Sequence, residues 1–196
     1  MSTQIETPSR GGRPAAASPD DVLAAARRSF NAGQRVDARA IAESLGVSRT
    51  SIYRWFGRHD GLMGAVLAAE FAQLVDRCEA RDAIGADRIR ATVLATCATF
   101  AGHNGFSTYI SERELDAIRV ITARDGHVQP VVVARLKAMI ERAVEEDGFR
   151  PRLEPGLLAY TLTRLIDGFV YTAYDDASVA LNTDMSQLDE VLKALL

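Results

Sequence analysis

Three observations predict an all-α fold for this chain. Apolar residues recur at spacings of three and four along most of its length. No stretch alternates apolar and polar residues as a half-buried strand would, and no internal repeat is present. Breaks at Gly33, Gly46, Gly57, Gly85, Asn104-Gly105, Asp125-Gly126, Asp147-Gly148 with Pro151, and Asp175-Asp176 cut the apolar pattern into segments of helical length. About nine helices are expected, in two layers of organisation. A three-helix unit occupies residues 18–59 behind a flexible arm at 1–17, and a larger helical body occupies 60–196.

Composition narrows the function classes. The chain has 196 residues, 47% of them hydrophobic and 25% charged, which is the balance of a folded rather than a disordered protein. No apolar run reaches the length of a membrane span. The N-terminal MSTQIETPSRGGRP lacks a signal-peptide core, so a cytoplasmic location is expected. Cys78 and Cys97 fall on separate helices in apolar company and read as reduced core thiols. His59, His103 and His127 lie far apart, with no ligand spacing to a cysteine or carboxylate, so no metal is expected. No Gly-rich phosphate loop or G-x-S-x-G motif is present, so neither a cofactor nor an enzymatic activity is expected. The net charge of −3 conceals an asymmetry. Residues 1–60 carry nine basic against six acidic residues, and residues 61–196 carry fourteen against twenty. The basic N-terminal part is where a nucleic-acid surface belongs.

The elements follow in order. The arm is rich in Pro, Gly, Ser and Ala, and in its SRGGRP segment Arg10 and Arg13 flank two glycines. Two readings stand for it, an arginine arm that follows a narrow minor groove and an untethered tail. The first helix begins with Ser18 as cap, Pro19 at the first helical position, and Asp20 and Asp21 at the positive helix end. Its apolar face is Val22, Leu23, Ala26 and Phe30, and it ends near Asn31-Ala32-Gly33. In the second helix Asp37 can cap, and Ile41, Ala42 and Leu45 mark the buried face. Gly46 stands where the helix can end in a left-handed residue. Ser48 then caps a third, short helix that carries Arg49, Thr50, Ser51, Tyr53 and Arg54 around a thin seam of Ile52, Trp55 and Phe56. A helix so short, so polar and so rich in base-edge and phosphate donors reads as the recognition helix of a helix-turn-helix.

The segment resembles the DNA-binding domain of the TetR family. Its pattern is met by Ile41-Ala42, Gly46-Val47-Ser48, Ile52-Tyr53 and Phe56, followed by the Asp60-Gly61-Leu62 turn and Val66, over about residues 18–67. The resemblance implies that Arg49, Thr50 and Arg54 read base edges, with arginine forked onto guanine and the threonine methyl against thymine. It implies that Ser51, Tyr53 and the start of the fourth helix hold phosphates. Two departures stand out. The family often has a phosphate-clamping lysine where this chain has His59, beside Arg58, and often Thr and Ser where this chain has Val36 and Asp37. The segment PRLEPGLLAYTLTRLIDGFVY is further similar to the QsdR-like branch, regulators of lactone-signal degradation, which implies a γ-lactone or related quorum-type effector.

The fourth helix is expected at 60–80, about 30 Å long and able to carry a displacement between domains. Five more are expected at about 87–102, 111–124, 128–147, 154–174 and 184–195. On the eighth, Tyr160, Arg164, Asp167, Tyr171 and Tyr174 form one stripe, and Leu158, Leu162, Leu165 and Phe169 another. The first stripe reads either as the lining of a ligand pocket or, for Arg164 and Asp167, as an i,i+3 pair. Further pocket candidates, on helices that surround the ligand in the family, are Phe71, Leu74, Cys97, Phe100 and Met139. The resemblance also implies a homodimer through the last two helices. Gly168 in mid-helix fits a close helix approach within the chain or across that dimer. The resulting expectation is a repressor that binds palindromic double-stranded DNA and is released by a small-molecule effector. The alternative is a helical DNA-binding interaction module with a protein partner or no ligand.

Overall fold

The computed structural model describes residues 17–172 and 185–196, the side chains of 170–172 excepted. Arg10, Arg13 and Tyr174 lie outside the described residues, as does the side chain of Tyr171. Among the described residues all regular structure is helical. The helices are α1 (Pro19–Asn31), α2 (Ala38–Leu45), α3 (Arg49–Phe56), α4 (His59–Cys78), α5 (Gly85–Ala101), α6 (Asn104–Thr122), α7 (Val128–Asp147), α8 (Pro155–Thr172) and α9 (Met185–Leu195). No helix of the described residues is long and apolar enough to cross a membrane.

The first three helices begin and end where local chemistry dictates. Ser18 and Asp21 form a reciprocal capping box: Ser18 Oγ accepts the Asp21 N–H at 3.3 Å, and the Ser18 N–H donates to Asp21 Oδ2 at 2.8 Å. Asp37 caps α2 by accepting the Arg39 N–H at 2.7 Å and the Ala40 N–H at 3.4 Å. The two donated N–H groups hold the charged carboxylate, so its pKa is lowered, the Arg39 bond first. Gly46 closes α2 at φ +65°, and Ser48 Oγ accepts the Ser51 N–H at 3.0 Å to open α3.

α4 is the spine. It packs against α1 and α3 toward the N-terminus and against α5, α6 and α7 toward the body. α8 lies on α7 and α5, and α9 on α5. One continuous apolar core runs from Val22, Phe30 and Ile52 through Leu62, Leu67 and Phe71 of α4 to Phe100, Leu136, Met139 and Leu162. Polar ties fix the helix-turn-helix unit to the body. Glu70 of α4 is buried and accepts from Arg27 Nε at 2.6 Å and Asn31 Nδ2 at 3.1 Å, both on α1. Asn31 Oδ1 meets His103 Nε2 at 3.1 Å. Two glycines permit the closest backbone approaches. A Cβ at Gly61 would overlap the Phe56 carbonyl of α3, and one at Gly105 would overlap the Phe30 carbonyl of α1.

The sixth helix departs from expectation. It begins at Asn104 rather than near 111, because the break is only Gly102-His103 and His103 Nδ1 accepts the Phe106 N–H at 3.3 Å. The helix then breaks at Arg113, with φ −149° and ψ 50°, so its two parts run in different directions.

Candidate nucleic-acid interface and ligand groove

α3 is anchored by one face and presents the other. Ile52 is fully buried, and Tyr53, Trp55 and Phe56 pack half-buried against the core. The opposite side carries Arg49, Thr50 and Arg54, all exposed. Ser51 is half-buried, its hydroxyl 2.9 Å from that of Ser48, which ties it to the cap. Arg49 lies back along its own helix. Its Nε donates to the Tyr53 hydroxyl at 2.6 Å, and its guanidinium stands 5.0 Å from the ring centre of Tyr53.

The two residues expected at the start of the fourth helix part company. Arg58 is exposed at the α4 N-cap and makes no side-chain cap bond. His59 turns inward, half-buried in a cleft with Arg35, Met63, Tyr109 and Arg113. Burial first, and the Arg113 guanidinium second, lower its pKa below the usual histidine value. An imidazole turned into a cleft, with its charged form disfavoured, is a weaker anion ligand than the exposed guanidinium of Arg58 beside it. The Tyr109 hydroxyl, in the same cleft, is buried with no hydrogen-bond partner among the described residues, and burial pushes its pKa up to about 12.

In the body, Phe71, Leu74, Cys97, Phe100 and Met139 are at most 4% exposed and belong to the packed core. Phe71 and Phe100 stack with ring centres 4.1 Å apart, and Phe100 meets Phe106 at 4.0 Å. These five, read from the sequence as pocket candidates, belong to the packed core that α4, α5 and α7 share. Burial also drives the Cys97 thiol up to about 12, as expected for an inert core cysteine.

A groove of about 540 Å³ runs between the start of α7 and the outer face of α8, lined by Arg124, Gln129, Pro130, Val133, Leu157, Tyr160 and Arg164. Of the expected stripe on α8, the structure brings Tyr160 and Arg164 to this groove and puts Asp167 behind it. The Arg164 guanidinium lies 5.1 Å from the centre of the Tyr160 ring. Its Nη2 donates to Gln129 Oε1 at 2.6 Å, and its two Nη atoms reach the Thr122 carbonyl at 3.5 and 3.4 Å. Nη1 also faces Asp167 Oδ2 at 3.3 Å, so the i,i+3 pair forms, while its Nε is buried with no partner among the described residues. Gln129 completes the network: its Nε2 donates to Asp167 Oδ2 and to the Ile121 carbonyl, both at 2.9 Å. Burial raises the Asp167 carboxyl to about 6, against the lowering influence of Gln129 and Arg164.

Sequence reasoning missed Gln129, Arg124, Pro130, Val133 and Leu157. Gln129 left a signal. It falls in register with Val132 and Leu136 on the buried face of α7, and a polar residue on an apolar stripe needs buried partners. Among the described residues no group of three or more His, Cys, Asp or Glu is placed to hold a metal ion.

Comparison with known proteins follows these two surfaces. Residues 84–196, more than half of the chain, match the family described as "Tetracyclin repressor-like, C-terminal domain". The fold is similar to the R. erythropolis transcriptional repressor QsdR from the TetR family, with a TM-score of 0.81 and 18% identity over 91% of this chain and 93% of that one. It is more distantly similar to the transcriptional regulator FadR from Bacillus subtilis, solved in complex with stearoyl-CoA, with a TM-score of 0.53 and 14% identity over 91% of this chain and 100% of that one. No curated protein matches the sequence.

Proposed function

The chain belongs to the TetR family of transcriptional regulators, and on that premise we propose that it is a cytoplasmic, homodimeric repressor of transcription, released from a palindromic operator by a small-molecule effector. The observation that carries the reading is α3: one face locked into the core by Ile52, the other offering Arg49, Thr50 and Arg54 to the major groove. Tyr53, Ser51 and Arg58 border that face and hold the flanking phosphates. Arg10 and Arg13 of the arm add a minor-groove contact. One short recognition helix gives too little base contact on its own, so the reading requires a dimer, through the last two helices.

Selection of double-stranded DNA from a random pool tests the reading without any ligand. Enrichment of inverted repeats with half-sites one helical turn apart is the expected result. Enrichment of single half-sites, or of no sequence, refutes it.

The effector enters at the α7–α8 groove, where Tyr160 and Arg164 supply polar contacts and Asp167 holds Arg164 in place. The finer choice, a γ-lactone or its ring-opened hydroxy acid, rests on the likeness of the tail to the QsdR-like branch. A second reading draws on the filled interior around Phe71 and Phe100 and on the exposure of Leu115 and Leu157: a DNA-binding module whose body receives a protein partner. A thermal-shift screen of lactones, acyl chains and aromatics separates the two, because a bound ligand raises the melting temperature by mass action.

A further inference from the structure

We propose that the α7–α8 groove selects a carboxylate on an apolar tail, and that Arg124 and Arg164 together hold the carboxylate while Pro130, Val133, Leu157 and Tyr160 receive the tail. This rests on the effector reading above and gives it a chemistry.

Charge is the first ground. Residues 61–196 are acidic overall, with fourteen basic against twenty acidic residues. The groove reverses that sign: among the described residues its lining has two arginines and no carboxylate. Asp167, which is bonded to Gln129 and Arg164 of the lining, is itself buried rather than at the surface. An anion entering the groove meets guanidinium groups first. The second ground is shape. About 540 Å³ is the room of a small-ligand site, and four of the seven lining residues present apolar surface.

The third ground is the state of Arg164. Apart from its 2.6 Å bond to Gln129, its bonds are long, 3.3–3.5 Å to Asp167 and the Thr122 carbonyl. Guanidinium pairs with a carboxylate are strongest when two parallel N–H donors meet the two oxygens at shorter range. A ligand carboxylate in the groove offers that geometry, and Arg164 takes it by turning from the Thr122 carbonyl. Thr122 opens the 122–129 segment, in which His127 rests against α4: a Cβ at Gly64 would stand 3.1 Å from its ring. The bond that the ligand displaces thus lies on the segment that touches the spine of the molecule.

Isothermal titration of the full-length chain with octanoate and with octanamide is the test. The two probes share a tail and differ in charge. Octanoate is expected to bind at least about tenfold more tightly than octanamide. Arg164→Gln and Arg124→Gln are each expected to weaken octanoate at least about tenfold, and the exposed position of Arg124 keeps that variant informative if Arg164→Gln does not fold. Equal affinity for the two probes overturns the proposal, as does octanoate binding that neither variant changes. An absence of octanoate binding, with monomers formed by Tyr160→Asp in sedimentation, assigns the groove to a second copy of the chain and likewise overturns it. Because the DNA selection uses no ligand, failure there with carboxylate binding intact removes the repressor reading alone.

Discussion

Two arginines of this molecule stack on a tyrosine of their own helix, and they live in opposite circumstances. Arg49 on α3 stands 5.0 Å from the Tyr53 ring, and Arg164 on α8 stands 5.1 Å from the Tyr160 ring. Arg49 is exposed, and its partner is one residue of the same short helix. Arg164 is bound to three helices at once, through Thr122 of α6, Gln129 of α7 and Asp167 of α8. A tether within one exposed turn contributes only tenths of a kcal/mol, so Arg49 can leave Tyr53 for a base at small cost. The contacts of Arg164 are partly buried and shared, so moving it disturbs the helices that share them. The first arrangement suits a reader of sequence. The second suits a group whose movement is felt elsewhere.

The largest expected effect breaks the second arrangement. Asp167→Ala leaves the Arg164 guanidinium and the Gln129 amide short of an acceptor in a buried setting, and a loss of about 2–3 kcal/mol is expected in urea unfolding. A loss below about 0.5 kcal/mol would mean that the network is not coupled to the fold.

Next comes Arg49→Ala. It is expected to cost about 1–3 kcal/mol on the selected operator and far less on random DNA, with no change in melting temperature. Equal losses on both DNAs would make Arg49 a phosphate contact rather than a base reader.

The pH dependence sharpens the contrast further. Around Asp167 stand Arg164 on α8, Gln129 on α7 and the neutral thiol of Cys97 on α5. Its carboxyl is raised from 3.8 to about 6. The folded protein therefore holds this proton more tightly than the unfolded chain. The contribution is fully present below pH 4 and is lost as pH rises through 6. Asp167→Asn is expected to flatten the stability profile between those values, as read by melting temperature. An unchanged profile would detach the titration from Asp167.

The smallest effect belongs to Tyr53→Phe. Stability should change by no more than about 0.5 kcal/mol. If the hydroxyl holds a phosphate, affinity should fall alike on operator and random DNA, in a titration at fixed salt.

The same contrast explains what was legible from sequence. Ser18, Asp37, Gly46 and Ser48 act on groups two to four residues away, so residue order alone gives the caps and hence α1 to α3. The start of α6 was misread because Asn104-Gly105 has the form of a turn. The glycine is there for another reason, the approach of the Phe30 carbonyl, which is more than seventy residues away in the chain. Phe71, Leu74, Cys97, Phe100 and Met139 carry the apolar signature that a cavity wall and a solid core share. Only the positions of α4, α5 and α7 decide between the two. Arg164 and Asp167 were visible as a pair, and both readings of Arg164 hold in part: it is bonded to Asp167 and it lines the groove. Its ties to Gln129 and Thr122 join residues 35 and 42 positions apart, beyond any local pattern.

The glycines at 61 and 105 also decide where the molecule can pivot. At each, one helix sits on a carbonyl of another with no room for even a methyl group, so neither junction can slide without collision. These approaches seat the end of α3 against the first turn of α4, and the end of α1 against the first turn of α6, so a shift of α4 or α6 is passed to the helix it touches. The non-helical backbone at Arg113, two turns along α6, is the nearest joint on that arm. A small rotation near that joint becomes a larger arc at α3, and in the proposed dimer the distance between the two copies of α3 is the quantity such an arc would change.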